Sequence, residues 1–443
     1  MMKKTVSLGL LASAVLLWMA TLSYADLTLT LTPFLKIEER YNDNVFLSET
    51  DEEDDFITII SPNIELGYHP NRYLDLDLEY GFNFRFYADH SNLNDTNLRE
   101  TQHANLRAQV RPLNRVFIDV HDFYRRVPVD VRQKVATDND FENMTDSNEF
   151  SISPYVQIPI TTTIMSRFGY RFRNMWYEDD IGNNSDSHLG FASLTKQFST
   201  ELSMSLGYDY LAHRPEFTND YDAHHGFISA NYQMASNLRF WAGAGRYYID
   251  FDDISNDESD SWDIGTEYRI DEMANTILTV TYRSSIAEKE YQYSGDSDTQ
   301  LTGTIQQNLL TERNSITTGA TETERVDLIL TTGKYVDIRI NPYYSDSKAL
   351  ETDREDEITG INLKIQKALT TDLTLILDGL WEKQEFSPRD DEVRRYSVSG
   401  SFDYILSRSI VANVGYRYNE RDSDVPGDDY TNNIVWLQAK MTF

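Results

Sequence analysis

Alternation of apolar and polar residues is the dominant pattern of this chain, and it is clearest between positions 74 and 86. Every second residue there is apolar, and the residues between are polar, charged or glycine: Leu74, Leu76, Leu78, Tyr80, Phe82, Phe84 and Phe86 against Asp75, Asp77, Glu79, Gly81, Asn83 and Arg85. A period of two places the two sets on opposite faces of a β-strand, whereas a helix would scatter both around its circumference. On a soluble protein the apolar face would be a large exposed patch, so the pattern favours a strand that faces lipid.

The same rhythm continues to the end of the chain and predicts an all-β protein of about 18–20 antiparallel strands. Short connections alternate with long, acidic loops, and no motif of fixed length recurs. These features are typical of a transmembrane up-and-down β-barrel with short periplasmic turns and long external loops, and both termini are then expected on the periplasmic side. Residues 292–323 are polar and rich in Thr, Gln and Gly, which leaves open either one long external loop or an additional hairpin.

The first residues have a different pattern. Two lysines precede an apolar segment, Val6–Met19, and small residues follow at Ser23 and Ala25. This arrangement predicts a secretory signal peptide, residues 1–25, and leaves 26–443 as a single barrel domain. An uncleaved anchor helix is the alternative, and the short apolar segment with its small-residue exit argues against it.

Composition excludes several kinds of partner and site. The formal charge is −32, so binding to a phosphate backbone is not expected. Cysteine is absent, which excludes disulfides and thiolate metal sites, and we predict no cofactor. The 55 aromatic residues (28 Tyr, 21 Phe and 6 Trp) suit strands and the interfacial girdles of barrels. The acidic loops could bind Ca²⁺ or Mg²⁺ diffusely beside lipopolysaccharide, but simple solvation is the stronger interpretation because no calcium-loop pattern is present.

The last strand carries a second kind of signal. Val435, Leu437, Ala439 and Met441 alternate with polar residues or Trp, and the sequence ends on Phe443. This segment resembles the terminal strand of bacterial outer-membrane β-barrels. The resemblance implies that Phe443 is an assembly signal for the barrel assembly machinery and that the last strand closes on the first. An ordinary closing strand of a soluble sheet is the alternative.

The start of the predicted barrel carries a more specific motif. Ile37–Phe46 (IEERYNDNVF) and Asp54–Pro62 (DDFITIISP) resemble the opening of a family of porin-like outer-membrane β-barrels. Members of that family recur beside genes for exopolysaccharide or capsule biosynthesis. The resemblance implies an outer-membrane location, contact with lipid and lipopolysaccharide, and a role in polysaccharide export, and it supplies no catalytic residues. From the residues alone, Tyr41–Asn44 is a strand end followed by a turn.

The best candidate site is the predicted lumen. If the apolar faces meet lipid, a set of charged residues points inward: Arg107, Arg111, Arg167, Arg171 and Arg173, with the carboxylates Asp75, Asp77, Glu79, Asp263 and Glu267. A basic ladder facing an acidic one would set the selectivity of a pore. The alternative is that these charges pair across strands and only stabilise the wall.

Three classes of function follow from this pattern. A porin-like channel for hydrophilic solutes is favoured, because the first strand begins directly after the signal peptide and leaves no segment for a plug domain. A non-conducting structural or adhesive barrel is the second. A barrel-embedded hydrolase is the third and weakest, because no nucleophile elbow or zinc-protease motif is present, although His103 and His121 lie on adjoining predicted strands. We therefore do not expect an enzyme.

Overall fold

The computed structural model of the protein describes residues 29–443 except 129–132, 135–142, 180–181, 272–274, 287–319, 334–335, 353 and 389–390. The predicted signal peptide lies outside the described residues. Within them the chain forms one antiparallel sheet and a single turn of 3-10 helix, Ser91–Leu93. No helix in this described part has the length and apolar content that a membrane crossing requires.

The strands are long and follow one another at short intervals, as the alternation predicted. They are β1 (Leu29–Asn42), β2 (Asp55–Asn71), β3 (Leu74–Phe82), β4 (Phe84–Tyr87), β5 (Gln102–Leu113), β6 (Val116–Pro128), β7 (Met144–Pro159), β8 (Ile164–Tyr177), β9 (Ser185–Gln197), β10 (Leu202–Pro215), β11 (Tyr221–Ala235), β12 (Leu238–Phe251), β13 (Asp257–Asp271), β14 (Thr276–Ile286), β15 (Thr321–Thr332), β16 (Asp337–Ala349), β17 (Glu355–Ala368), β18 (Leu373–Ser387), β19 (Asp391–Ser407), β20 (Ile410–Ser423) and β21 (Tyr430–Thr442).

The sheet closes on itself, because β1 pairs with β21 on one side and with β2 on the other. The closing register runs from Phe34 opposite Thr442 to Asn42 opposite Ile434. Segments β3 and β4 both pair with β2 and form one strand interrupted at Asn83, so the wall has 20 strands. A closed wall has no free sheet edge, which is the requirement for β-structure in lipid. The predicted fold class is confirmed.

The connections differ between the two ends of the barrel. At one end the strands are joined by nine connections of two to four residues, and both ends of the chain's strand-forming part lie there. The connections at the other end are longer, except that only residues 388–390 separate β18 from β19. Strand β14 pairs directly with β15, so the wall has no place for an additional hairpin from the 292–323 stretch, most of which lies outside the described residues.

The wall has two chemically distinct faces. Large apolar side chains are exposed on the outer face, for example Leu206 (62% exposed) and Leu437 (60%). The face that carries Leu78 and Phe86 is this same outer face. Leu74, which the pattern alone would expose to lipid, is instead buried in a cluster of neighbouring apolar side chains. The inner face holds most of the polar and charged strand residues.

Candidate functional site

All ten charged residues predicted for the lumen lie on the inner face. They are Asp75, Asp77 and Glu79 on β3, Arg107 and Arg111 on β5, Arg167, Arg171 and Arg173 on β8, and Asp263 and Glu267 on β13. Because β3 pairs with β5, the acidic and the first basic residues lie side by side on one part of the wall rather than facing each other across the lumen. The register places Asp77 directly opposite Arg107.

Several of these charges form ion pairs across neighbouring strands. The Arg111 guanidinium lies 3.0 Å from an Asp75 carboxylate oxygen, and Arg173 Nε lies 2.9 Å from Glu149 Oε1. On the acidic side His69 Nε2 is 3.3 Å from Asp77. These ion pairs stabilise the wall of the barrel. A role of the same charges in solute selection stays a prediction.

Arg167 has a different environment. Its guanidinium carbon lies 4.2 Å from the ring centre of Tyr155 and 5.1 Å from that of Phe191. A cation at this distance from a ring face is attracted by the ring quadrupole. Arg167 therefore bridges two aromatic rings on the strands that flank its own.

These rings belong to a larger arrangement that the sequence pattern did not reveal. One cross-strand register row passes through seven consecutive strands, from β6 to β12. Its members, here called the inner aromatic row, are Phe117, Tyr155, Gly169, Phe191, Asp209, His225 and Tyr247. Residues this far apart in sequence cannot be placed in one row without the strand register. The sequence signal for them is an aromatic residue or His at an inward position in five of these seven strands.

Neighbouring rings of the row are in contact. Phe117 and Tyr155 stack with ring centres 5.0 Å apart and an interplanar angle of 10°. His225 stacks on Tyr247 at 3.9 Å and 6°, and Phe227, on the inner face beside the row, stacks on the same imidazole at 5.1 Å. The row therefore presents aromatic surface in two groups, linked by Phe191 and Asp209.

The rings lie close to the wall because glycine occupies the neighbouring strand. A Cβ atom added to Gly169 would lie 2.5 Å from Phe191 Cζ, and one added to Gly207 would lie 2.1 Å from Phe227 Cζ. Each of these rings therefore packs closely against the glycine backbone of the neighbouring strand.

The row also climbs along the barrel. Phe117 is the second residue of β6, next to the short-turn end, whereas Tyr247 lies in the last third of β12, toward the long loops. Such a climb is expected because strands tilt relative to the axis of a closed barrel. The row thus runs from near the short-turn end toward the long-loop end along one side of the lumen.

His225 also has a polar partner on each side. Its Nε2 lies 2.8 Å from Ser261 Oγ, and its Nδ1 lies 3.5 Å from Asp209 Oδ2. The bond to Ser261 passes over Gly245, where an added Cβ would lie 2.6 Å from both atoms. This order of Ser, His and Asp is that of a hydrolase triad.

Two features separate this set from a hydrolase site. Ser261 is only 7% exposed, so a substrate carbonyl has little access to its hydroxyl. It also lies within a strand paired on both sides, where the backbone N–H groups are used in the sheet rather than directed at an oxyanion. The other histidines considered from the sequence are not brought together, since His103 bonds to Asn63 (2.8 Å) and His121 lies opposite Arg107.

The loop between β1 and β2, residues 43–54 and here called the first loop, folds into the barrel. Val45 and Leu47 are 2% and 1% exposed. Val45 packs on the inner-face residue Ile57, and Leu47 packs on Tyr430 of the last strand. The strand end predicted at Tyr41–Asn44 is correct, but the inward course of the loop was not predictable from its composition.

Hydrogen bonds fasten the first loop to β21. Asn433 donates from its backbone N and its Nδ2 to the Asp43 carboxylate, at 2.6 and 2.7 Å. Asn44 Nδ2 donates to the Thr431 carbonyl (2.9 Å), and Asn432 Nδ2 donates to the Asn44 carbonyl (3.0 Å). The motif that resembles the porin-like family therefore joins the first and last strands at the long-loop end of the seam.

A histidine ties the base of the first loop to the loop after β4. His90 Nε2 lies 2.7 Å from Glu53 Oε2, and its Nδ1 lies 2.9 Å from Asp55 Oδ2. Hydrogen bonds to these two carboxylates raise the pKa of His90 above its ordinary value. The Phe46 ring meets the imidazole edge-on at 5.2 Å.

Two further sequence predictions can be located. Phe443 is 75% exposed, and its backbone N donates to the Pro33 carbonyl (3.0 Å), so the terminal residue lies beside the first strand. Its role in assembly stays a prediction. Across the described part of the chain no three His, Asp or Glu side chains are grouped as metal ligands.

Comparisons with known proteins agree with this architecture. Residues 358–443 match the model of a family described as "Putative beta-barrel porin 2". Among solved structures, a ferric enterobactin receptor (PfeA) mutant from Pseudomonas aeruginosa is 11% identical, with 93% of this chain and 80% of that chain covered and a TM-score of 0.52. A BenF-like porin from Pseudomonas fluorescens Pf-5 is 7% identical over 94% of this chain and 99% of that chain, with a TM-score of 0.41.

Of these two likenesses the first exceeds a TM-score of 0.5, and at 11% identity it shows the fold alone. No curated protein matches the chain. The closed 20-strand wall and the matched carboxy-terminal strands lead to one conclusion: the chain folds as an antiparallel β-barrel of the outer-membrane type, and its residues 358–443 are similar to the family described as "Putative beta-barrel porin 2".

Proposed function

We propose that this barrel is a passive channel for hydrophilic solutes in the bacterial outer membrane. The observation that carries the proposal is the inner wall, where charged and polar side chains follow the strands while apolar side chains cover the outside. Barrels of about 16–18 strands leave an aqueous channel, and barrels of about 22 strands hold a plug. A wall of 20 strands is wide enough for a solute path unless loops fill it.

The remaining parts of the proposal concern orientation and solute. The short-turn end and both chain termini face the periplasm, and the long loops face the cell surface beside lipopolysaccharide, as in other barrels of this type. The resemblance of the opening motif implies a polysaccharide as the solute and export as the direction. The terminal strand ending at Phe443 serves recognition by the barrel assembly machinery.

A second candidate, a non-conducting structural barrel, is favoured by one set of contacts. The loops at the long-loop end bond to one another: Lys134 Nζ donates to the Leu47 carbonyl (2.8 Å), and Asn219 donates from its backbone N to Glu351 (2.9 Å). Because these loops leave strands that are several positions apart around the wall, their contacts are expected to narrow the mouth of the lumen.

Single-channel recording separates the two candidates. The full-length barrel, shown to be folded by its heat-modifiable mobility on gels, is inserted into planar bilayers in potassium chloride. Stepwise conductance is expected for a channel. Folded protein that inserts without conductance would overturn the proposal in favour of the structural barrel.

The charged inner wall has its own test in the same bilayers. Replacing Arg167, Arg171 and Arg173 by Gln removes three inward cations, so the reversal potential in a salt gradient should shift toward cation selectivity. Arg246→Gln is the matched control, because Arg246 lies exposed on the outer face, paired with Glu258. An unchanged reversal potential in the triple variant assigns these arginines to wall stability alone.

A further inference from the structure

We propose that a cavity on the inner wall, at the short-turn end of the barrel, binds the anionic group of a solute, either a carboxylate or a phosphate. The inference rests on the proposed function, because it gives the channel a first contact for its solute at the end that faces the periplasm in the proposed orientation. It adds a site, the residues that form it and the chemistry of the group that they bind.

The cavity lies where β15, β16 and β17 reach their short turns. Its volume is about 190 Å³. A single water needs roughly 10–15 Å³ of such space, so the cavity can hold a solute group together with part of its hydration. Two cationic residues line it, with hydroxyl and carboxamide residues around them: Arg339, Lys364, Thr331, Thr332, Asn275 and Gln366.

The two cationic side chains belong to residues that lie directly opposite each other. The strand register pairs Arg339 of β16 with Lys364 of β17. Like charges in this position destabilise a sheet. Asp378 of β18 lies on the other side of Lys364 and balances its charge, whereas the other neighbour of Arg339 is the neutral Thr331. An anion between β16 and β17 would therefore relieve a repulsion that the wall itself leaves in place.

Arg339 is the exposed cation of the cavity. Its guanidinium forms no ion pair and no hydrogen bond with any residue that the structure describes, unlike Arg111, which pairs with Asp75. Asp337 also lines the cavity, but its carboxylate lies over the turn, where an added Cβ at Gly333 would be 2.7 Å from Asp337 Oδ1. The planar fork of N–H donors on Arg339 is thus available to a ligand, and this fork matches the geometry of a carboxylate or a phosphate.

Neutral donors complete the site. Thr332 Oγ1 accepts a hydrogen bond from Thr276 Oγ1 (3.1 Å), which leaves the Thr332 hydroxyl proton for a ligand. Thr331 adds a second hydroxyl, and Asn275 and Gln366 add carboxamides. An anionic group with several oxygen atoms requires several donors in addition to charge, and a few convergent polar groups in a concave surface provide them.

The position of the cavity suits a solute that enters from the short-turn end. Strand β15 ends at Thr332, β16 begins at Asp337 and β17 ends at Ala368, so the cavity lies at the rim of the lumen. Fixed positive charge in a concave mouth raises the local concentration of anions. The cavity would therefore load acidic solutes at the end from which export begins.

Arg269 provides a matched control. It lies on the same register row of the inner face, three strands away, and the row passes through Ile277 and Thr331 to Arg339. Its side chain likewise forms no ion pair with a described residue, but it does not line the cavity. Replacing either arginine by Gln removes one positive charge from the same end of the lumen. A difference between the two variants therefore reports on the cavity and not on the general field of the mouth.

The test measures binding to the folded, full-length barrel in non-ionic detergent micelles by calorimetry, in a buffer free of phosphate and carboxylates. The probes are inorganic phosphate, galacturonic acid, and galactose as the neutral counterpart of the acid. Binding of phosphate, of galacturonic acid or of both is expected, and the comparison identifies the group that the site takes. Galactose should not bind. In Arg339→Gln the affinity should fall by about tenfold, because a charge-assisted contact is lost. In Arg269→Gln it should not change.

The outcomes separate this inference from the proposed function. Binding in micelles requires no ion flow, so anion binding without conductance overturns the channel and leaves the site. Conductance without binding of either anion overturns the site and leaves the channel. Equal binding of galactose, or an equal loss of affinity in Arg269→Gln and Arg339→Gln, also overturns the site, because neither the charge of the ligand nor the cavity would then be responsible. Heat-modifiable mobility confirms that each variant is folded.

Discussion

Glycines on the inner face mark the positions where aromatic rings lie against the wall. At Gly265 an added Cβ would lie 2.1 Å from Trp241 Cζ2, a distance to a ring that is matched at Gly207 and Gly415. Real Cβ contacts do not occur at that distance, so the ring or the strand would have to move. These glycines are required by packing on the neighbouring strand and not by a special backbone conformation.

We expect Gly265→Ala to destabilise the barrel by about 1–3 kcal/mol, because a methyl group would overpack the site. The measurement is urea unfolding in micelles, followed by the loss of heat-modifiable mobility. Gly226→Ala is the control, since no atom lies within 4 Å of its added Cβ. Equal destabilisation of both variants would contradict this explanation.

The raised pKa of His90 predicts a pH-dependent contact in the first loop. Its protonated form bonds to Glu53 and Asp55, so the stabilisation should be complete below the ordinary histidine pKa of about 6.5 and should be lost as the pH rises through the higher folded value. An NMR titration of His90 in the folded barrel measures this pKa. Glu53→Gln removes one of the two partners and should lower it. A midpoint in the wild type at or below 6.5 would contradict the assignment.

For single residues, the sequence predicted the face of the wall toward which a side chain points but not the residues that it contacts. The period of two correctly placed Arg167 and Asp75 on the inner face, because side-chain direction follows from the alternation alone. The neighbours of those residues depend on strand register, which the alternation does not fix. For this reason the sequence did not predict that Arg111 pairs with Asp75 or that aromatic rings lie beside Arg167.

The strands and the first loop differ in how much of their structure is local. Strands in lipid must alternate, so their number could be read from the sequence. The first loop is held by residues far away in the chain: Asn44 bonds to the Thr431 carbonyl, 387 positions later. Leu47 also has a positive φ of 52°, which is unfavourable for a residue with a Cβ and is sustained by its burial against Tyr430.

We expect the double variant Val45→Ser/Leu47→Ser to release the first loop from the inner wall, because it removes the two buried apolar contacts. Channel conductance should rise, and hydrogen exchange of residues 43–54 should accelerate. Val425→Ser, at an exposed position in the loop before β21, is the matched control. Unchanged conductance in the double variant would mean that the first loop does not constrict the lumen.

At the scale of the whole barrel, the prediction concerns its orientation in the membrane. The sequence contains no cysteine, so a single introduced thiol gives an unambiguous label. We choose two positions for replacement by Cys: Ser255, in the exposed loop between β12 and β13, and Ser199, in a short turn. In intact cells a membrane-impermeant maleimide should label the first and not the second. Permeabilising the outer membrane should expose the second, and labelling of Ser199→Cys in intact cells would reverse the proposed orientation.

The seam between β1 and β21 has a consequence for relatives of this protein. Its nine residue pairs are supplemented by the side chains of Asp43, Asn44, Asn432 and Asn433, so the opening motif and the closing strand form one junction although 390 positions separate Asp43 from Asn433. A substitution at one side of this junction leaves a polar group without its counterpart on the other. Among homologous sequences, Asp43 and Asn433 should therefore vary together, and a chimaera that joins the first strand of one homologue to the last strand of another should close its barrel less efficiently than either parent.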